Sequence, residues 1–267
     1  MESVGPLWSP GKERVERANL SRFLKFVQSE CDEQVQSWPD LYDFSIRRPE
    51  RFWTAVWDFC GIRASGEREP VLVDADRMPG ARWFPNVRLN FAQNLLRHRD
   101  ERCALWFRGE TGQTRELSYA ELADEVSRLQ QALAAAGVRT GDRVAGFLPN
   151  IPEAVVAMLA TTSLGAIWSS FGINGVVDRF GQIAPEVLFT AASYAYGGKR
   201  FDCLERVAGI LGQIPAIERV VVVPYLDAPT PAAVAAVPRA VALAEFVAPY
   251  APAPLEVEPV PFDHPLY

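Results

Sequence analysis

VAGFLPNIPEAVVAMLATTSLGAIW, residues 144–168, decides the fold class. Val144 to Leu148 is an apolar run of strand length. The turn Pro149-Asn150-Ile151-Pro152-Glu153 leads into a strongly apolar helix, Pro152 to Leu164, and Ile167-Trp168 opens the next strand. The alternation continues downstream. Gly175 to Phe180 reads as a helix, Val187 to Thr190 as a strand, Asp202 to Leu211 as a helix, and Val220 to Val223 as a strand of four valines. This pattern predicts an α/β fold, a doubly wound and mainly parallel sheet whose apolar strands are buried on both faces.

Upstream, Cys103 to Phe107 reads as a strand, Thr111-Gly112 as a turn, and Arg115 to Leu117 as a short returning strand. Ser118-Tyr119-Ala120-Glu121 is a capping box, in which serine and glutamate satisfy each other's backbone donors. The helix behind it carries Leu122, Val126, Leu129 and Leu133 and stops at Gly137, where glycine suits a left-handed end. Residues 61–100 are punctuated by charge, Gly and Pro around Met78-Pro79-Gly80 and predict irregular chain. One short helix is expected from Asn90, an N-cap, after the turn Trp83-Phe84-Pro85.

Residues 9–60 predict helices. Leu20, Phe23, Leu24, Val27, Cys31 and Val35 recur at helical spacing, and a further helix starts at Pro49 with Phe52, Trp53, Val56, Trp57 and Phe59. So many aromatics need a partner surface. The expected organisation is a helical and irregular N-terminal extension, residues 1–100, packing on the core, followed by an α/β portion, residues 101–267. Beyond Leu226 an Ala/Pro/Val-rich stretch runs to about Pro261 and reads as a surface excursion or linker.

Composition excludes several classes. The chain has 267 residues, 49% hydrophobic, 22% charged, with a net charge of -6, and its pI near 5.2 argues against a general nucleic-acid binder. No stretch approaches the ~18 uninterrupted apolar residues of a membrane helix. The N-terminus MESVGPLWSPGKERVER lacks the apolar core of a secretory signal, so a cytoplasmic location is expected. The four cysteines, Cys31, Cys60, Cys103 and Cys203, have no metal-ligand spacing, and only His98 and His264 accompany them; no metal site is expected. All four sit in apolar runs and read as reduced thiols inside the core.

Motif tests are mostly negative. No G-x-x-x-x-G-K-[ST] loop is present: Gly197-Gly198-Lys199 is followed by Arg200, and Ser193 stands where the first glycine would be. No G-x-G-x-x-G follows a strand, and no G-x-S-x-G elbow exists. Two histidines at positions 98 and 264 offer a Ser-His triad little to work with. The cluster Gly197-Gly198-Lys199-Arg200 remains. Its glycines would let a ligand approach the backbone, and its adjacent cations could hold a phosphate, against the reading of a solvated charged turn. Trp83-Phe84 reads as core rather than as a ligand platform.

Several segments together resemble the acetoacetyl-CoA synthetases of the adenylate-forming superfamily. They are Leu7-Trp8 with Pro10 and Glu13-Arg14-Val15-Glu16-Arg17-Ala18-Asn19-Leu20, and the run Arg82 to Leu96, similar to W-F-x-G-x-x-L-N-x-A-x-N-L-L of short-chain acyl-CoA synthetases. Leu148 to Glu153, Leu164 to Ser170, Val177 to Ile183, Gly198 to Asp202 and Phe262-Asp263-His264-Pro265-Leu266 continue the likeness in order. Departures are Pro85-Asn86 for Pro-Gly, Gln93 for Glu, a short insertion of the relatives missing between Ser170 and Phe171, and Tyr196 where the relatives carry a basic residue.

The resemblance implies the N-terminal, incomplete part of the adenylate-forming large domain, ending before the Ser/Thr/Gly-rich ATP loop. It implies an enzyme that activates acetoacetate with ATP and Mg²⁺ and passes the acyl group to CoA. Tyr196, Lys199 and Arg200 would meet the CoA nucleotide, and no residue here would be catalytic. This stretch alone is expected to be inactive and to hold no cofactor tightly. Uncovered sheet surface would favour self-association. A truncated, non-catalytic remnant and a synthetase for butyrate or propionate are the alternatives.

Overall fold

Aromatic spacing builds the first part of the chain. In the computed structural model, which describes residues 6–31, 34–170 and 176–267, the chain divides between Asn86 and Val87 into two units. The first contains helices α1 (Lys12–Arg17), α2 (Asn19–Glu30), α3 (Trp38–Arg47) and α4 (Pro49–Cys60). Phe23 and Val27 of α2, Leu41 and Phe44 of α3 and Ala55 of α4 form its buried core. Phe23 meets the Phe52 ring edge-on at 5.8 Å and Phe59 at 5.1 Å, the geometries that aromatic quadrupoles favour. Ser37 caps α3: its Oγ accepts from Asp40 N, and Asp40 Oδ2 accepts from Ser37 N at 2.9 Å. Pro49 stands in the first turn of α4, and the helix ends at Gly61 with φ +60°.

Residues 64–86 hold strands β1 (Ala64–Gly66), β2 (Leu72–Val73) and β3 (Arg82–Trp83); β2 and β3 pair antiparallel. The sequence predicts only irregular chain here, because two-residue ladders are too short to show a period. Trp83 packs on Trp53 at 5.9 Å and Phe84 on Trp57 at 4.9 Å; the pair is half-buried against α4 and stands outside the unit's buried core, where the sequence reading puts it.

The second unit starts with β4 (Val87–Leu89) and α5 (Phe91–Leu95), capped by Asn90 Oδ1, which accepts from Gln93 N at 3.2 Å. An antiparallel hairpin follows, β5 (Cys103–Arg108) with β6 (Thr114–Ser118). Helix α6 (Tyr119–Ala135) begins on the expected capping box, with Ser118 N donating to Glu121 Oε2 at 2.8 Å and Glu121 N to Ser118 Oγ at 3.2 Å. It closes at Gly137, φ +97°. Then come β7 (Arg143–Phe147), α7 (Pro152–Ser163), β8 (Ile167–Ser170), α8 (Val176–Ile183), β9 (Val187–Ala191), β10 (Ser193–Tyr196), β11 (Lys199–Asp202), α9 (Leu204–Leu211), β12 (Arg219–Val223), α10 (Pro231–Ala235), β13 (Ala240–Ala242) and α11 (Leu243–Val247).

Five strands form a parallel sheet in the order β13-β12-β9-β7-β8. Alternate residues feed two cores. Val144, Val187, Phe189, Val221 and Val223 face α6 and α7, whereas Ala145, Phe147, Leu188, Val220 and Val222 face α9 and Phe180. Burial on both faces is why the strands read as unbroken apolar runs. Each valine of Val220–Val223 is fully buried, contributing about 1.5–3 kcal/mol relative to exposure. The doubly wound α/β fold expected from the sequence, with helices ahead of it, is the fold observed. No helix among the described residues is long and apolar enough to cross a membrane.

The stretch after Leu226 corrects the reading as a linker. Residues 240–242 add a parallel edge strand to the sheet. Residues 250–260 then run as a strap across α6 and α7. Ser127 Oγ donates to Ala253 O at 2.7 Å and accepts from Ala253 N at 2.9 Å. Gln130 Nε2 donates to Glu256 O at 2.7 Å, Gln131 Nε2 to Ala251 O at 2.8 Å, and Arg128 Nε to Tyr250 O at 3.0 Å. Because α6 side chains grip the strap's backbone, the strap needs no apolar pattern of its own. It delivers residues 264–266 to β8: His264 Nε2 lies 2.7 Å from Gly165 O, and Trp168 N donates to Leu266 O at 3.1 Å.

The thiols also differ from expectation. Cys203 is buried and Cys31 half-buried, but Cys60 and Cys103 are exposed, at a helix end and at the start of a hairpin strand. Burial pushes the Cys203 thiol up to about 12. Burial and then Glu116 also raise the Cys103 thiol; since the thiolate is the nucleophile, iodoacetamide at about pH 8 is expected to label native Cys60, to label exposed Cys103 slowly, and to reach Cys203 only after unfolding, as read by peptide mass spectrometry.

Gly146 tests the packing. A Cβ there would lie 2.6 Å from Cζ2 and 2.7 Å from Cη2 of the buried Trp168 ring. Gly146→Ala is expected to lower stability by about 1–3 kcal/mol in urea unfolding, and Gly146→Ala combined with Trp168→Phe to recover part of that loss.

Candidate functional site

The strand order locates the place where a sheet of this kind offers a ligand site. The chain runs from β7 outward to β8, crosses back to β9, and continues to β12 and β13, so the direction of winding reverses between β7 and β9. Open α/β sheets bind ligands at the carboxyl ends of strands near such a reversal. From the carboxyl end of β9, at Ala191, the chain passes directly into the β10–β11 hairpin that contains Tyr196, Lys199 and Arg200.

Gly197 and Gly198 form its two-residue turn, with φ +59° and +72°. Two positive φ values in succession define the turn that matches the natural twist of a hairpin, and glycine takes them without strain. The glycines are thus explained by turn geometry. Tyr196 pairs with Lys199 and Ala195 with Arg200. Adjacent residues of a strand face opposite sides. Lys199 therefore shares a face with Tyr196, Tyr194 and Phe201, and Arg200 lies on the other. The two cations do not form one cradle. Tyr194 and Phe201 stack at 5.0 Å and 12° beneath the exposed Tyr196, which is 68% accessible.

Two acidic residues that the sequence did not single out complete the arrangement. Arg200 Nη1 pairs with Asp227 Oδ2, beyond the end of β12. Glu110 Oε1, in the β5–β6 turn, accepts from Gly197 N at 3.2 Å. Tyr225 joins the same place, its ring 6.1 Å from Phe107 and its hydroxyl held above the usual range by burial and then by Glu110. Glu110 comes from the β5–β6 turn and Tyr225 and Asp227 from the loop after β12, so together they form no motif in sequence. Lys199 has no hydrogen-bond or ion-pair partner among the described residues and is exposed. It is the cation this site leaves available to an anion, and the exposed Tyr196 ring beside it can stack on a base or donate its hydroxyl.

The short insertion missing between Ser170 and Phe171 falls at residues 171–175 and lies outside the described residues. Among the described residues no group of three or more His, Cys, Asp or Glu is placed to hold a metal ion.

The profile of the AMP-binding enzyme family matches residues 91–264, and that of the acetyl-coenzyme A synthetase N-terminus matches residues 38–95. The chain belongs to the AMP-binding enzyme family. It is 45% identical to the acetoacetyl-coenzyme A synthetase of Rhizobium meliloti, over 100% of this chain and 41% of the relative. It is 37% identical to the acetoacetyl-CoA synthetase of Danio rerio, over 98% of this chain and 40% of the relative. The solved acetoacetyl-CoA synthetase from Streptomyces lividans superposes with a TM-score of 0.87 at 37% identity, covering 98% of this chain and 41% of that one. The chain thus spans about two-fifths of the length of the relatives it matches, and corresponds to the N-terminal domain of an adenylate-forming enzyme.

The turn geometry can be tested directly. Gly198→Val puts a branched side chain at a left-handed position, which costs about 1–2 kcal/mol. Gly198→Asn, which tolerates that conformation, is expected to unfold in urea within about 0.5 kcal/mol of the parent.

Proposed function

We propose that this chain forms the N-terminal portion of an acyl-CoA synthetase that activates acetoacetate with ATP to an acyl adenylate and transfers the acyl group to CoA. The likeness to acetoacetyl-CoA synthetases carries this reading, because it runs through the helical first unit as well as the segment shared by AMP-binding enzymes.

Within that reaction the β10–β11 hairpin meets the nucleotide end of CoA. Lys199 supplies a point charge to a phosphate, and Tyr196 supplies a stacking face or a hydroxyl in place of the relatives' basic residue. Arg200, turned away and paired with Asp227, braces the hairpin and sets the angle at which Lys199 is presented. No residue of this chain is assigned a catalytic role. The ATP phosphates and their Mg²⁺ need a cradle of backbone donors and oxygen ligands. No G-x-x-x-x-G-K-[ST] loop that would form such a cradle occurs in this sequence.

Two measurements test the reading. The purified chain is expected to release no pyrophosphate on addition of acetoacetate, ATP and Mg²⁺. Grafted in place of the matching segment of the Streptomyces lividans synthetase, it is expected to support acetoacetate-dependent consumption of CoA thiol; a folded but inactive graft would count against it. In the active graft, Lys199→Glu is expected to raise the apparent KM for CoA about tenfold, the loss of one charge-assisted contact. Acetoacetate-dependent exchange of pyrophosphate into ATP should be unchanged. Unaltered CoA kinetics would remove Lys199 from the site.

A further inference from the structure

A concavity lies between α6, α7 and α11. It has a volume of about 240 Å³ and sits over the carboxyl ends of β9 and β12. Its wall is apolar, formed by Leu129, Val156, Phe189, Val223, Leu243 and Val247. Its polar end is a triad. Arg115 stands between two carboxylates, with Nη1 on Glu153 Oε1 and Nη2 on Glu125 Oε1.

One guanidinium therefore serves two carboxylates. The second oxygen of each, Glu125 Oε2 and Glu153 Oε2, has no hydrogen-bond partner among the described residues. The other cation on the wall, Arg128, is turned to the main chain. Its Nε donates to Tyr250 O at 3.0 Å and its Nη2 to Val247 O at 3.3 Å, which pins the end of α11 and the head of the strap. Burial holds the Glu125 carboxyl above its usual range; Arg115 works against that, and Glu153 and Glu121 add to it. An apolar concavity whose polar end carries two partly exposed carboxylates on one guanidinium has the opposite charge preference from the Lys199 face.

We propose that this cavity is a binding site for a small primary amine with an apolar body. Its ammonium would bridge Glu125 and Glu153, and its body would lie against Phe189 and Val223. A primary ammonium carries three donors and no acceptor, which suits two spare carboxylate oxygens. The volume accommodates one aromatic ring on a short chain, below the size of a drug-sized pocket. The acid, ATP and CoA of the proposed reaction are all anions, so this proposal does not rest on that reading.

The test uses the chain itself, with methyl resonances of Leu129, Val156, Val223, Leu243 and Val247 followed by NMR. Titration with 2-phenylethylammonium is expected to shift them saturably. The neutral isostere 2-phenylethanol and the anion 3-phenylpropionate should bind at least tenfold more weakly. Glu125→Gln should weaken 2-phenylethylammonium at least tenfold while leaving the alcohol unchanged. The proposal is overturned by the absence of saturable shifts, by equal binding of the ammonium and the alcohol, by tighter binding of the carboxylate, or by a folded Glu125→Gln variant that binds the ammonium as the parent does. Should that variant fail to fold, the three-ligand comparison on the parent chain decides alone.

Discussion

A single buried amide, Asn90, ties the α/β unit together. Its Oδ1 caps α5, and its Nδ2 donates to Thr162 O at 3.0 Å, Ser163 O at 3.1 Å and Glu258 O at 2.8 Å. A helix leaves its last carbonyls without partners, and in the interior an unpaired carbonyl is costly. The end of α7 is such a place: Thr162 and Ser163 are buried, so water cannot serve them. Asn90 adds its amide donors to those of Gly165 N on Thr162 O and Glu258 N on Ser163 O, and in doing so fixes the start of α5, the end of α7 and the strap in one position. Gln130 repeats the device, donating to both Ser163 Oγ at 2.7 Å and Glu256 O. The apolar layers provide the driving force for folding; these two amides specify which surfaces meet.

This division of labour explains what could be read from the sequence. The strands β7, β8, β9 and β12 were legible because burial on both faces makes them apolar runs, the helices α6, α7 and α9 because burial favours apolar positions along them, and the Ser118–Glu121 box and Gly137 because helix ends demand particular chemistry. Asn90 was legible as a cap, which is half of its role; its long-range partners Thr162, Ser163 and Glu258 leave no local trace. The strap failed for a different reason. Its backbone, not its side chains, is recognised by Ser127, Gln130 and Gln131, so Ala and Pro serve there as well as any residue, and composition mimics a linker. Cys60 and Cys103 failed because an apolar neighbourhood in sequence does not say which face a residue takes.

The hairpin shows the same limit at the level of function. Lys199 and Arg200 are neighbours in sequence, and adjacency suggests joint action on one ligand. On a strand adjacency means the reverse, since successive side chains leave opposite faces. Residues that do act together on a two-residue hairpin are those flanking the turn, Tyr196 and Lys199. Once the twin glycines are recognised as a turn with two positive φ values, that pairing follows from the sequence. The partners Glu110 and Asp227 do not, because each arrives on a loop whose position depends on the whole sheet.

Charge is distributed accordingly over the carboxyl side of the sheet. At the hairpin, Asp227 occupies Arg200 and Glu110 occupies the Gly197 N–H, so two of three groups that could attract an anion are already engaged and Lys199 alone is left. At the α6–α7–α11 cavity, Arg115 is occupied twice and Arg128 is committed to carbonyls, so the groups left over are carboxylate oxygens. Neither surplus would be visible from a count of Lys, Arg, Asp and Glu, which nearly balance in each place. It emerges only from following every donor and acceptor to its partner. The two proposed sites would therefore favour ligands of opposite charge, although both lie on the carboxyl side of one sheet.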